Sequence, residues 1–202
     1  MLDILVKGGP VLWLIMVLAV PVLAVVVERL LYFRRIHTDE DKLLSRVKSA
    51  IEKGHHEEAL AICDTNEAPL GALIRSGIES RNLPEAELRE VVREAALREL
   101  GRIEAGIAAV GTIGNIAPLL GLLGTVSGII NSFNVLGDFG AASDPSVLAK
   151  GIAEALITTA AGIVLAVPSM VAYSTLSGMA NKIIGALEGQ AGDLVRILKR
   201  RG

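Results

Sequence analysis

Three long apolar runs dominate the pattern of hydrophobic and polar positions along this chain. The first extends over about residues 10–33, the second is free of charge over residues 105–137, and the third over residues 155–181. Each is as long as, or longer than, the roughly 20 apolar residues that a helix needs to cross a bilayer. The pattern therefore predicts an all-α membrane protein with three transmembrane helices.

The polar segment between the first two runs is predicted to be helical throughout. Thr38, followed by three acidic residues, has the form of a helix N-cap with an acidic first turn, and Gly54 would end that helix. The stretches "HHEEALAICD" and "PLGALIRSGIES" predict two shorter helices.

Long helices are predicted to extend beyond the second and third spans. Pro84 suits the first turn of a helix that meets no breaker stronger than glycine before it enters the second span, so residues 84–134 are expected to form one rod of about 75 Å. Charge pairs such as Glu94–Arg98 and Glu99–Arg102 would support its exposed surface. The third helix is expected to begin at Pro145, with Asp144 as its N-cap, and to continue to about Lys199.

Basic residues indicate how the three spans are oriented. They follow the first and third runs, whereas the link between the second and third runs carries two aspartates and no base before Lys150. Because cytoplasmic flanks are enriched in Lys and Arg, residues 34–104 and the C-terminus are expected inside and the N-terminus outside. The bases after the third run are also expected to contact anionic lipids; they are Arg196, Lys199, Arg200 and Arg201.

These assignments divide the chain into six segments. They are an outer N-terminus with the first span (1–33), a helical cytoplasmic segment (34–104), the second span (105–137), a short outer link (138–150), the third span (151–181) and a cytoplasmic C-terminal helix (182–202). Because the basic residues follow the first apolar run rather than precede it, that run does not have the form of a signal peptide.

Composition excludes several classes of function. A net charge of −2 gives no signature of nucleic-acid binding, and the histidines at 37, 55 and 56 lack a ligand spacing with Cys63, the single cysteine. We therefore expect no metal, no cofactor and, because no nucleophile–base pair stands out, no enzyme activity. The high glycine content and the scarcity of aromatic residues are typical of helices that pack inside lipid.

Glu154 is the unexpected residue of the third run. It lies nine residues beyond Pro145, about 13 Å along the helix, and a carboxylate at mid-helix costs roughly 2.5–3.5 kcal/mol on insertion scales. Either it reaches water at the interface or caps polar groups of a neighbour, or it faces a polar interior. Thr158 shares its face, whereas Thr159 lies about 140° round the helix, which would require a wide lumen or a second helix interface.

The second run supplies small residues for helix packing. Its glycines allow close helix approach, Pro118 frees a backbone carbonyl, and Thr125 is polar without charge. Asn115 and Ser127 fit ordinary helix packing equally well. One chain has too few helices to enclose a polar lumen, so we expect oligomerisation through these faces. The packing positions are Gly111, Gly114, Pro118, Gly121, Gly124, Gly128 and, in the third run, Gly162.

Three stretches resemble the ExbB/TolQ branch of the MotA/TolQ/ExbB proton-channel family. They are "ERLLYFRR" (28–35), "GTIGNIAPLLGLLGTVSGIINSF" (111–133) and "GIAEALITTAAGIVLAVPSMVAY" (151–173). The resemblance implies a bacterial inner-membrane protein with a periplasmic N-terminus, five copies of which surround the helices of an ExbD/TolR-like single-span partner. It also implies that proton flow drives a TonB/TolA-like protein for outer-membrane transport or envelope integrity.

The same resemblance implies a proton pathway or lumen formed by four residues, Glu154, Thr125, Thr159 and Thr158. Glu154 matches the family's glutamate in the third span, and Thr125 and Thr159 match its two lumen threonines. Thr158 stands where the family usually has Ala, and Ser127 where it often has Trp. Two other functions stay open from the residues: a scaffold that only holds the partner, and an independent ion channel or transporter.

Overall fold

The computed structural model describes residues 9–52, 55–64, 68–139 and 145–199, and every regular element within those ranges is an α-helix. Six helices follow one another: α1 (Gly9–Glu52), α2 (His56–Asp64), α3 (Pro69–Glu79), α4 (Glu85–Ile103), α5 (Ile107–Phe139) and α6 (Pro145–Lys199). Three stretches are long and apolar enough to cross a membrane: Gly9–Ile36, Glu85–Gly137 and Leu148–Lys199. The predicted all-α membrane fold with three spans is confirmed.

The chain divides into two compact units. The first unit comprises Met1–Val27 and Gly106–Thr175, and the second comprises Glu28–Ala105 and Leu176–Gly202. Large apolar side chains are distributed very differently in the two. Of those that are described and exposed, 21 belong to the first unit and 4 to the second. A surface covered with Leu, Val and Ile is stable in lipid or against other apolar helices, so the first unit has the character of a membrane-embedded one.

The second unit has a buried apolar core and charged residues on its surface. On α4 the buried positions Leu88, Val92, Ala95, Glu99 and Ile103 follow helical spacing and form one stripe. The exposed face of α4 carries the predicted Arg98–Glu94 pair at 3.5 Å, and exposed Arg102 pairs with the buried Glu99 at 3.3 Å.

The first helix passes through the position at which the sequence predicted a new helix start. α1 is continuous from Gly9 to Glu52, so the prediction of an N-cap at Thr38 is wrong. The buried residues Phe33, Ile36, Leu43 and Val47 keep one helical phase across this position, and their burial outweighs the roughly 1 kcal/mol that an N-cap contributes. The predicted stop at Gly54 and the predicted cap at Asp144 lie outside the described residues.

The predicted rod over residues 84–134 is interrupted. α4 ends at Ile103 and α5 begins at Ile107, with Gly106 in the left-handed region at φ +75°. A Cβ on Gly106 would lie 2.9 Å from Cγ1 of Val25, so a larger residue would be both strained and crowded. The helix is therefore interrupted at a glycine that the sequence pattern does not distinguish from the others. The other helices agree with the predictions within a few residues, and α6 does run to Lys199.

Arg29 caps the C-terminal end of α4 within the second unit. Its side chain is 8% exposed, and Nη1 donates to the carbonyl oxygens of Arg102 at 2.6 Å and Ile103 at 3.5 Å. Glu28 accepts from the same guanidinium at 2.5 and 2.8 Å. Carbonyls in the last turn of a helix have no partner within it, so this cation satisfies acceptors that the break after Ile103 leaves open.

The last turn of α6 is attached to the loop between α3 and α4. Lys199 Nζ donates to the carbonyl oxygens of Leu83 at 2.5 Å and Arg81 at 3.1 Å. Arg196 pairs with Asp193 at 3.4 Å. The described bases of the expected lipid-binding rim are therefore also engaged in protein contacts, while Arg200 and Arg201 lie outside the described residues.

Candidate functional site

Glycine brings α5 into close contact with residues 151–173 of α6. An ideal Cβ on Gly162 of α6 would lie 2.5 Å from the carbonyl oxygen of Ala117, and one on Gly121 of α5 would lie 2.9 Å from Cα of Thr159. Further along the pair, Gly111 lies against Tyr173 and Gly128 against Ala155. The residue numbers of the contacting positions rise along α5 as they fall along α6, so the two helices run antiparallel.

The sequence predicted helix packing at these glycines and oligomerisation through the same faces. The structure packs them between two spans of one chain, and the oligomerisation stays a prediction. Gly114 meets Met170 and Ser169, and Gly124 meets Thr158. Pro118 lies inside α5, which continues through it. The glycine face is therefore occupied within the chain, and the exposed apolar surface lies elsewhere on the same helices, at residues such as Leu119, Leu122 and Val164.

Two threonines form a hydrogen-bond network between these closely packed helices. Thr125 Oγ1 of α5 and Thr159 Oγ1 of α6 are hydrogen-bonded to each other. Each hydroxyl has one proton, so two arrangements contain the bond between them: Thr159 donates to the carbonyl oxygen of Gly121 at 2.9 Å while Thr125 donates to Thr159, or Thr125 donates to that of Ala155 at 3.0 Å while Thr159 donates to Thr125. Both side chains are partly exposed. The network depends on Gly121, because only a residue without a side chain lets its carbonyl approach Thr159 this closely.

Glu154 lines an open groove of about 330 Å³ in the first unit, near the beginning of α1. Its side chain is partly exposed, and Thr158, one turn further along α6, lines the same groove. Thr158 is 2% exposed, and its Oγ1 donates to the carbonyl oxygen of Glu154 at 3.3 Å. The carboxylate thus has access to the space outside the helix pair instead of being enclosed by it.

The sequence pattern did not single out two polar residues that line the groove. Asn131 and Ser132 of α5 line the groove together with Ser127. Ser132 is 6% exposed and donates to the carbonyl oxygen of Gly128 at 2.8 Å, whereas Asn131 and Ser127 are exposed. The sequence does place small and polar residues on one face of this helix, at Gly124, Ser127, Gly128 and Asn131. The same spacing is typical of ordinary helix packing, so it did not identify a groove.

The site combines one carboxylate with uncharged hydroxyl and amide groups. Such groups donate and accept hydrogen bonds, so they can hold water in a line, and the carboxylate is the one ionisable group among them. Thr125 and Thr159 are not among the residues that line the groove: Thr159 lies about 7.5 Å further along the helix axis than Glu154 and about 140° round it. Among the described residues, no group of three or more His, Cys, Asp or Glu side chains is placed to hold a metal ion.

Comparison with known proteins identifies relatives of this chain. Residues 65–189 match the MotA/TolQ/ExbB proton channel family, whose members are transport and channel proteins rather than enzymes. An ExbB homologue of Methanothermobacter thermautotrophicus is 29% identical over 93% of this chain and 66% of its own length. The biopolymer transport protein ExbB of Neisseria gonorrhoeae is 31% identical over 78% of this chain and 80% of its own.

A TolQ protein is similar over a shorter stretch. The Tol-Pal system protein TolQ of Pseudomonas aeruginosa is 39% identical over 121 residues, which are 58% of this chain and 52% of that protein. The similarity to both ExbB and TolQ agrees with the resemblance in the span motifs.

Proposed function

The chain belongs to the MotA/TolQ/ExbB proton channel family, and on this premise we propose that it is the ring-forming subunit of an inner-membrane motor. Five copies would surround the transmembrane helices of an ExbD/TolR-like partner. Proton flow past the partner would then drive a TonB/TolA-like protein that acts on the outer membrane. The N-terminus would face the periplasm and the C-terminus the cytoplasm, as the distribution of basic residues suggests.

The observation that carries this proposal is a carboxylate held in an open groove of the same helix pair that is joined by the threonine network. A charged group in a span is costly, so a structure that keeps one usually has a use for it. Glu154 is open to one side, where a helix of a partner or of a second copy could bring a further protonatable group next to it. This opening supports a pathway shared between chains more than a pore enclosed by one chain.

The two threonines at positions 158 and 159 support different roles. Thr159 joins α5 to α6 through Thr125 and the carbonyl of Gly121, whereas Thr158 is buried and bonds within its own helix. We therefore propose that Glu154, Thr125 and Thr159 form the proton pathway, and that Thr158 mainly packs against Gly124.

The deciding experiment removes the carboxylate and measures proton-driven work. Glu154→Ala and Glu154→Gln are expected to assemble normally, because the residue is only partly buried, and to abolish a phenotype that depends on the proton gradient in cells carrying the partner. Glu188→Ala is the matched control, because Glu188 is an exposed glutamate on the same helix outside the groove, and it should retain activity. Purified complexes in liposomes, with a pH-sensitive dye inside, measure the proton flux directly.

Threonine variants separate the pathway from the packing. Thr159→Val keeps the shape and removes the hydroxyl, so it should reduce proton flux markedly, while Thr158→Val should change it little. Full activity of Glu154→Ala would refute the pathway and leave Glu154 as an interfacial residue. Intact partner binding with no proton flux in the unaltered complex would instead favour a scaffold that holds the partner.

A further inference from the structure

A small cavity in the second unit is lined by residues of α1, α3 and α6. Its volume is about 150 Å³, and seven of its nine lining residues are aliphatic, among them Ile51, Leu73 and Leu194. An apolar cavity of about this size admits molecules as large as benzene. The groove of Glu154 belongs to the first unit, so this cavity is a separate feature that proton conduction does not require.

One polar group of the cavity is unsatisfied. Gln190 lines the cavity, and its Oε1 is buried without a hydrogen-bond partner among the described residues. The other polar residue, Asp193, is 69% exposed at its side chain and pairs with Arg196 at 3.4 Å, so it lies at the mouth. The cavity thus combines an apolar wall, one acceptor without a donor and a charged residue open to solvent.

A bound molecule with an aliphatic body and a hydroxyl group would fill the apolar space and satisfy the buried acceptor. Unfilled apolar space deprives the surrounding side chains of contacts, and a buried acceptor without a donor is costly. A molecule with an aliphatic body would restore the contacts, and a hydroxyl on it would donate to Gln190 Oε1. The occupant should be neutral, because burying a charge among aliphatic residues costs much more than burying a hydroxyl.

We propose that this cavity binds a small neutral amphiphile, an aliphatic alcohol of about six to eight non-hydrogen atoms, whose hydroxyl donates to Gln190 Oε1. The aliphatic end packs against Leu73 and Leu194, and the hydroxyl end lies at Gln190. The site is independent of the proposed motor function, so a loss of one would leave the other untouched.

A pair of fluorinated probes tests the proposal on the full chain in lipid nanodiscs. 4,4,4-Trifluorobutan-1-ol has a hydroxyl donor, whereas its methyl ether has a similar apolar body and no donor. Fluorine NMR titration, with empty nanodiscs as the reference for partitioning into lipid, measures the affinity of each. The alcohol should bind about fivefold more tightly than the ether, as expected for one net hydrogen bond.

Two variants locate the binding. Gln190→Leu removes the acceptor, so the alcohol should lose its advantage over the ether. Ile197→Phe fills the cavity from a partly exposed position, so neither probe should bind. Equal affinity of the two probes for the unaltered protein, no binding of either, or undiminished binding to Ile197→Phe would each overturn the proposal. The comparison of alcohol with ether needs no variant, so it decides even where a substitution disturbs folding.

Discussion

Replacing Gly162 by alanine tests the close packing of α5 and α6, and the same substitution at Gly178 is its control. Both glycines belong to α6. At Gly162 the new Cβ would lie 2.5 Å from the carbonyl oxygen of Ala117 and 3.2 Å from Cα of Gly121, whereas at Gly178 nothing lies within 4 Å. Both contacts at Gly162 are to backbone, so no side chain can rotate away, and the helices must separate by about 0.9 Å to reach ordinary contact at 3.4 Å.

The energetic difference between the two variants can be worked out from these contacts. Overpacking costs about 1–3 kcal/mol. The hydrogen bond from Thr159 to the carbonyl of Gly121, 2.9 Å long, would be stretched beyond hydrogen-bonding distance, at a cost of about 0.6 kcal/mol inside a membrane. The gain in helix propensity on replacing glycine, up to about 1 kcal/mol, is common to both variants and cancels. Gly162→Ala should therefore be about 1.5–3.5 kcal/mol less stable than Gly178→Ala.

Thermal unfolding of the two purified variants measures this difference. For a chain of this size, 1 kcal/mol corresponds to about 2–4 °C in Tm, so the midpoints should differ by on the order of 5–10 °C. Gly162→Ala should also lose proton flux, because separating the helices breaks the threonine network. Equal midpoints for the two variants would refute the inference that α5 and α6 are in contact through glycine.

Three further predictions concern the second unit. Arg29→Met should lower the free energy of unfolding by about 1.5–3 kcal/mol, because it leaves the carbonyls of Arg102 and Ile103 without their cationic donor. Arg35→Met, at an exposed position, is the control. Equal chemical denaturation curves for the two variants would exclude the cap. Lys199→Met should destabilise the folded protein by about 1–2 kcal/mol relative to Lys182→Met, a control at an exposed position. The readout is faster proteolysis of the loop at residues 80–84, and identical digestion of the two variants would contradict the prediction. Burial raises the pKa of the Cys63 thiol to about 11, so maleimide labelling of the native protein should keep rising with pH beyond 9, whereas a plateau near pH 9 would contradict the burial.

The raised pKa of Cys63 also predicts the direction of a stability change with pH. The folded state keeps the thiol protonated up to about pH 11, while the unfolded chain ionises near the ordinary value of 9.0. The stabilisation is complete below pH 9 and is lost as the pH rises from about 9 to 11, because in that window the unfolded state releases the proton and the folded state retains it. Cys63→Ala should remove this dependence.

The sequence alone determined the number of spans and most helix boundaries. A run of apolar residues longer than a bilayer requires is a property of the chain that no tertiary contact can change, and the same holds for the proline that begins α6. Glu154 also stood out without a structure, because a carboxylate near an apolar run is conspicuous whatever it touches. The motifs around it were sufficient to indicate the family before any geometry was known.

Only the tertiary structure decided what each glycine does. Gly106 ends a helix with a left-handed backbone against Val25, and Gly162 lies in an unbroken helix against Ala117, yet the sequence shows the same residue at both positions. The periodicity of α5 predicted a face of small residues but not its partner, and that partner proved to be α6 of the same chain. A pattern of residues specifies which surface can be approached closely. Which surface approaches it, and therefore that Thr125 meets Thr159, depends on how the helices fold back on each other.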